Sequence, residues 1–306
     1  MYDVIILIIG LVCAGLGGEL FVRGLVGIAF IAGISAGIVG ATVSAFATSS
    51  PELFVGVTAA LSHAPHISFG NILGANVVNI AMVLGLTLTL TGSIRGSITD
   101  IKRDLSIAFL GPVITAILLL DGTLSRIDGI IMLAVFFLWM ATVLRDLRKE
   151  RHTSKNSLQK SNPRITLIYS AIGLALLFGA GKFIISGARG IAISLGWSEF
   201  IIGQIIVAIG TTVPELATTL VSRLRGHDEV GLGTVMGSNI FNGLFIVGIV
   251  AILSPISISL TAAGKAILAG IIAIALIIPS KKGGLGRMRG GVILLFYILY
   301  IVITFQ

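Results

Sequence analysis

The sequence predicts an all-α, polytopic membrane protein. Ten transmembrane helices form two inverted five-helix repeats, with helices 2 and 7 broken. Three observations lead there. The 306 residues are 56% hydrophobic and only 11% charged, with a mean hydropathy of +1.08, whereas about a quarter of a soluble domain is charged. Apolar windows near the roughly 20 residues that span a bilayer recur along the whole chain. The same Pro-Glu pair also appears twice in apolar surroundings, as Pro51-Glu52 and Pro214-Glu215, 163 residues apart.

The windows lie near 3–27, 31–62, 68–91, 102–121, 127–144, 165–189, 199–224, 230–253, 261–279 and 290–305. The second and seventh are long and contain the Pro-Glu pairs, so each is expected to be interrupted. Met1-Tyr2-Asp3 runs straight into the first window without a basic leader or a small-residue cleavage site, so that helix is expected to be retained. The lone cysteine, Cys13, excludes an internal disulfide and a multi-cysteine metal site; it reads as a small packing residue.

Ten spans sort the connections onto alternate sides. One side collects 17 of the 21 Lys and Arg residues; the other takes Arg126, Arg189 and Lys265, and Lys182 stays within a span. The basic side is expected to be cytoplasmic, with both termini outside and the plasma membrane as the location. The net charge of +8 is therefore a topogenic signal, and no nucleic-acid partner is expected. The domain reading is a first repeat over 1–144, a basic cytoplasmic linker over 145–164, and a second, inverted repeat over 165–306.

The 163-residue register extends well past the Pro-Glu pairs. Gly70, Gly74, Asn76, Asn79 and Gly85 match Gly233, Gly237, Asn239, Asn242 and Gly248. Gly24, Ile28, Ala29 and Gly33 match Gly187, Ile191, Ala192 and Gly196. A repeat of five spans is odd, so successive copies must enter the membrane in opposite senses. Transporters built this way hold their substrates near the midplane, in broken helices.

A carboxylate at mid-membrane depth is costly, and function is the usual reason to keep one. Proline lacks an N–H and clashes with the carbonyl four residues back, here that of Ala47 or Gly210. Freed backbone oxygens, the hydroxyls of Thr48, Ser49, Thr211 and Thr212, and the carboxylates of Glu52 and Glu215 form an all-oxygen environment. Hard cations such as Ca²⁺ want about 6–8 such ligands, whereas Zn²⁺ and copper prefer His or Cys. Asn79 and Asn242, on the spans that follow, offer neutral ligands. Two buried glutamates bring a charge of −2, balanced by one Ca²⁺, by two or more Na⁺, or by two protons. Alternate occupancy by such sets is the requirement for coupled antiport.

These segments resemble the sodium/calcium exchanger family of the calcium/cation antiporter superfamily. The resemblance rests on Gly-Thr-Thr-Val-Pro-Glu-Leu with Gly-Ser-Asn-Ile-Phe-Asn in the second half. Ala-Thr-Ser-Ser-Pro-Glu-Leu with Gly-Ala-Asn-Val-Val-Asn carries it in the first. It covers essentially the whole chain, as a compact prokaryotic-type member. It implies that Glu52 and Glu215, with the carbonyls of Thr48 and Thr211, ligate Ca²⁺. It implies Na⁺ positions at the carbonyls of Ala45 and Ala208, the hydroxyls of Ser49, Thr212 and Ser238, and the glutamates, with Asn79 and Asn242 bordering the centre. Spans one and six would slide across the other eight to give alternating access.

Two departures qualify the implied site. Ala75 replaces the serine expected opposite Ser238, removing one hydroxyl. Asn242 stands where potassium-dependent relatives carry aspartate, so K⁺ co-transport is not expected. The implied function is electrogenic Na⁺/Ca²⁺ antiport, with the ions and the bilayer as partners, no cofactor, and a monomer as the functional unit. A Ca²⁺(cation)/H⁺ exchanger is the alternative in the same superfamily, although neither repeat shows the Gly-Asn-x-x-Glu pattern of that branch. A cation channel, a less favoured reading, would conduct Ca²⁺ at a rate indifferent to the ion on the other side, whereas an exchanger needs a counter-ion. An intramembrane enzyme is disfavoured by the absence of His-Glu-x-x-His, with all four histidines expected in loops.

Three smaller features carry bland expectations. Glu19 and Arg23 have the spacing of a helical ion pair. Lys182 is expected to snorkel. Asp228 and Glu229 suit the start of span eight.

Overall fold

The computed structural model describes residues 2–31, 44–95, 98–150, 162–226, 228–278 and 284–305. Among these, eight helices are long and apolar enough to cross a membrane, joined by two shorter apolar helices, Ser50–Leu61 and Leu260–Leu276. Part of the expected second span, residues 32–43, lies outside the described residues. Observed helices run somewhat past the expected limits, as in Tyr2–Ile31, Pro163–Leu195 and Arg126–Glu150. His66, expected in a loop, is in the first turn of the helix Pro65–Val77, because Pro65 fits an N-terminal helical position where its missing N–H costs nothing.

Two spans form the centre. Pro65–Thr91 is 78% buried and Val230–Leu253 is 83% buried, against 28% for Tyr2–Ile28, Asp104–Asp121 and Arg126–Arg145. The outer helices therefore present apolar side chains to lipid. Both central spans widen into π-helix at corresponding places, Val78–Leu84 and Phe241–Ile246. Such insertions are rare and cluster at functional sites.

The contacts obey a two-fold relation between residue n and residue n+163. Asn76 Nδ2 donates to the Asn239 carbonyl at 3.3 Å and Asn239 Nδ2 donates to the Asn76 carbonyl at 3.1 Å, a reciprocal pair across that offset. Two short β-clips join loops of opposite halves: Ile94–Arg95 with Gly284–Leu285, and Thr123–Leu124 with Ile256–Ser257, both antiparallel.

Helix α1 (Tyr2–Ile31) and helix α2 (Pro163–Leu195) pack on each other along their length. A Cβ added at Gly24 would lie 2.2 Å from Ser170 Oγ, at Gly173 2.4 Å from the Phe21 N, and at Gly10 2.8 Å from Ile184 Cγ1. Contacts that rise in one helix and fall in the other make the pair antiparallel, as inverted copies require. Small residues allow this approach where lipid supplies no hydrophobic drive.

Other expectations resolve simply. Glu19 and Arg23 form an exposed ion pair on α1, and Lys182 is exposed. Asp228 both begins a helix and pairs with Arg223 at 2.9 Å. His63 sits in a turn with φ 53°, and its carbonyl accepts from Arg189 at 2.8 Å, while the same guanidinium pairs with Glu199.

Candidate functional site

Both Pro-Glu helices break as the prolines require. Ser49 (φ −86°, ψ 10°) and Thr212 (φ −84°, ψ 5°) leave helical geometry two residues before each proline. The short helix Ser44–Thr48 precedes the first break and Ser50–Leu61 follows it; Ala208–Thr211 and Val213–Leu224 flank the second. Each glutamate thus enters the first turn of a new helix, whose N-terminal amides favour negative charge. The carbonyl expected to be freed at Ala47 is not free: Ser50 Oγ donates to it at 2.7 Å. Val213 occupies the corresponding place in the second half and has no hydroxyl to do the same for Gly210.

The expected residues are largely buried, and Thr48, Ser49, Glu215 and Ser238 come together. Glu52, Glu215, Ser49, Thr212, Ser238, Asn79 and Asn242 are all 0% exposed, Thr211 is 1% and Thr48 is 8%. Ser49 Oγ donates to Glu215 Oε1 across the two halves at 2.8 Å, and Ser238 Oγ donates to the same oxygen at 3.2 Å. Thr48 Oγ1 lies 3.4 Å from Ser238 Oγ. Ala208 is buried, and its carbonyl accepts from the Thr212 N–H at 3.2 Å and from Thr212 Oγ1 at 2.9 Å. Ala45 lies in the helix Ser44–Thr48, and its side-chain surroundings are outside the described residues.

The two glutamates differ in their surroundings. Both oxygens of Glu52 lack a hydrogen-bond partner, as does Oε2 of Glu215. The difference follows from sequence. The residue matching Ser238 is Ala75, and the residue matching Ser49 is Thr212, whose hydroxyl turns back onto its own helix at Ala208. Other buried atoms on the central spans also lack partners: Asn242 Oδ1 and Nδ2, Asn79 Oδ1 and Asn71 Nδ2. A buried polar atom left unmatched costs about 1–3 kcal/mol, so these atoms make the centre an expensive place to leave carboxylates. Among the described residues no group of three or more His, Cys, Asp or Glu exists; the remaining donors are hydroxyl and amide oxygens, which suit hard cations.

Three buried polar residues were not among those the sequence assigned to the site. Asn239 Oδ1 accepts from Asn79 Nδ2 at 3.1 Å, and its match with Asn76 was the available signal. Gln204 donates to the Tyr300 hydroxyl at 2.7 Å. Asn71 Oδ1 accepts from Thr211 Oγ1 at 3.1 Å. In the 163-residue register Asn71 and Gln204 match different residue types, Thr234 and Ala41, so repeat matching could not flag them.

Comparison with known proteins fits this geometry. The family described as sodium/calcium exchanger protein matches residues 2–145 and 165–306. The chain belongs to the sodium/calcium exchanger family. It is accordingly a multi-pass membrane antiporter of cations and not an enzyme, and the ions are its substrates. The relative named CaxA, from Alkalimonas amylolytica, is 33% identical over 99% of this chain and 98% of its own length. The sodium/calcium exchanger MaX1 of Methanosarcina acetivorans is 28% identical over 98% of each chain. A solved structure of the sodium-calcium exchanger NCX_Mj, soaked with Na⁺ and Sr²⁺, superposes with a TM-score of 0.65 at 29% identity, covering 98% of both chains. The human sodium/potassium/calcium exchanger 2 matches more locally, 36% identical over 32% of this chain and 14% of its own length.

Proposed function

We propose that the protein is an electrogenic, K⁺-independent Na⁺/Ca²⁺ antiporter working by alternating access. The observation that carries this reading is the pair of fully buried glutamates from opposite halves, with three of their four carboxylate oxygens unpartnered. Such a cage is costly when empty and is satisfied by one Ca²⁺ or by two or more Na⁺. Ca²⁺ would take Glu52, Glu215 and the carbonyls of Thr48 and Thr211. Na⁺ would take the Ala45 and Ala208 carbonyls, the hydroxyls of Ser49, Thr212 and Ser238, and the same carboxylates. Asn79 and Asn242 would border the centre. More than two Na⁺ against one Ca²⁺ would move net charge; sharing the carboxylates would make the two loads exclusive, which is what would couple them.

Alternating access draws support from the packing. The antiparallel pair of α1 and α2 is glycine-lined between its members, and the windows of both helices are largely unburied, 28% and 33%. That is the build of a unit able to shift against the buried centre. We place the two five-helix repeats at 1–144 and 165–306, the 145–164 linker in the cytoplasm, and both termini outside the plasma membrane, with a monomer as the working unit. K⁺ independence rests on Asn242, which adds no third carboxylate to the cage.

The test is Ca²⁺ uptake into proteoliposomes loaded with Na⁺ and diluted into Na⁺-free buffer, with pH equal on both sides. Uptake lost when choline replaces internal Na⁺, and accelerated by an inside-positive potential that favours Na⁺ exit, is the expected result. Uptake driven only by a proton gradient would overturn it in favour of cation/H⁺ exchange, and uptake indifferent to internal Na⁺ would indicate a channel.

A further inference from the structure

The two halves of the cage are unequal, and the inequality has a pattern. In the second half, Ser238 bonds Glu215 at 3.2 Å. One turn earlier on the same helix, Thr234 satisfies itself on the Val230 carbonyl at 2.8 Å. In the first half, Ala75 has no hydroxyl, Glu52 has no partner, and the residue one turn earlier is Asn71. Residues four apart share a helix face, so Asn71 lies on the face of Ala75, toward the Pro65 end.

Asn71 is 0% exposed and does not bond within its own helix as Thr234 does. It reaches across the halves to Thr211 Oγ1 at 3.1 Å, and its other amide atom is unpartnered. Thr211 is also the hydroxyl that faces Glu52 from the opposite half. The amide has two orientations that keep the Thr211 contact. In the second, Nδ2 donates to Thr211 Oγ1, Thr211 passes its proton toward the Ala208 carbonyl 3.4 Å away, and Asn71 Oδ1 is the unpartnered atom. A free carbonyl oxygen is a ligand for a hard cation.

We infer that Asn71 is a further cation ligand of the cage. It supplies, on the side of Glu52 and Thr211, the neutral side-chain oxygen that Ala75 withholds. The cation is Na⁺, since a position with one carboxylate and neutral oxygens suits a single charge. Ala75 with Asn71 and Ser238 with Thr234 are then two solutions to one requirement. This rests on the antiport reading above, and the experiment separates the two.

The experiment compares four chains: the native protein, Asn71→Thr, Ala75→Ser and Asn71→Thr/Ala75→Ser. Na⁺-induced thermal stabilisation in detergent is measured without Ca²⁺, alongside Na⁺-driven Ca²⁺ uptake. Asn71→Thr should raise the half-saturating Na⁺ concentration about tenfold, the effect of one lost neutral ligand, with Ca²⁺ affinity changed much less. The double variant should return it to near the native value, which a merely structural role for Asn71 would not produce. Ala75→Ser alone, which carries no folding risk from a lost amide, should lower it. Unchanged Na⁺ affinity in Asn71→Thr, or no rescue in a folded double variant, overturns the assignment. If Asn71→Thr does not fold, Ala75→Ser decides: no gain in Na⁺ affinity counts against a ligand position there. Loss of Na⁺-driven uptake in the native chain, with the Na⁺ stabilisation pattern intact, would instead count against the antiport reading.

Discussion

Replacing Glu52 by glutamine separates the role of the cage from its cost. Both carboxylate oxygens of Glu52 are buried and without a close hydrogen-bond partner, so a bound cation would be their main compensation. Removing one member of a buried charged pair costs about 3–5 kcal/mol, roughly two to three and a half orders of magnitude in affinity. Ca²⁺ binding and exchange by Glu52→Gln should fall by that factor. The ion-free protein should move the other way. Glutamine removes an unpartnered ionisable group, and the relief is on the order of 1–3 kcal/mol, seen as greater heat stability in chelator. Glu215→Gln should lose exchange similarly but gain less, because Glu215 Oε1 already receives hydrogen bonds from Ser49 and Ser238. Thermal unfolding in detergent with chelator or with Ca²⁺, paired with uptake in proteoliposomes, reads both effects. A folded Glu52→Gln that exchanges Ca²⁺ within tenfold of the native rate, or that is less heat-stable than native in chelator, would refute the reasoning.

Three further outcomes are expected. Asn242→Asp adds a third buried carboxylate to the cage, so balancing it takes an additional positive charge; the dependence of uptake on Na⁺ concentration should become steeper, and an unchanged Na⁺ curve would tell against Asn242 bordering the ions. Gly24→Val places side-chain atoms where even a Cβ would lie 2.2 Å from Ser170 Oγ and 2.6 Å from its N. Prying apart α1 and α2 in this way should destabilise the protein by about 1–3 kcal/mol, measurable as a lower unfolding temperature by size-exclusion after heating. Paired cysteines at Ile94 and Leu285, directly opposite in an antiparallel clip, should form a cross-link in a Cys13→Ala background. A single cysteine at either position should resist an impermeant thiol reagent applied outside right-side-out cells if that face is cytoplasmic, and labelling from outside would invert the proposed orientation.

Much of the fold was legible because the bilayer restricts it. With no water to satisfy backbone groups, a continuously apolar window of about 20 residues must be helical, and window length fixed the spans within the described residues to within several residues. Pro51 and Pro214 located the helix breaks because a missing N–H acts locally, and the breaks at Ser49 and Thr212 appear where those prolines require. The glutamates were legible because an intramembrane carboxylate stands out against its background. What could not be read were groups whose partner depends on how the backbone turns or how separate segments pack. The carbonyl of Ala47 looked free in sequence, yet the Ser50 hydroxyl reaches it once the backbone turns. The π-helical turns at Val78–Leu84 and Phe241–Ile246 have no sequence mark of their own, since they reflect how the two central spans fit together.

The sequence by itself therefore determined the class, the 163-residue repeat and the two carboxylates that mark the candidate site, because hydropathy, helix breaking and the expense of a buried charge are local and strong. Only the tertiary structure decided how the two halves share that site. It gives Glu215 two hydroxyl donors and Glu52 none, and it joins Asn71 to Thr211 across 140 residues of chain. Those differences arise where two nearly symmetric surfaces meet, and a symmetry that is broken by single side chains becomes visible only when the surfaces are brought together.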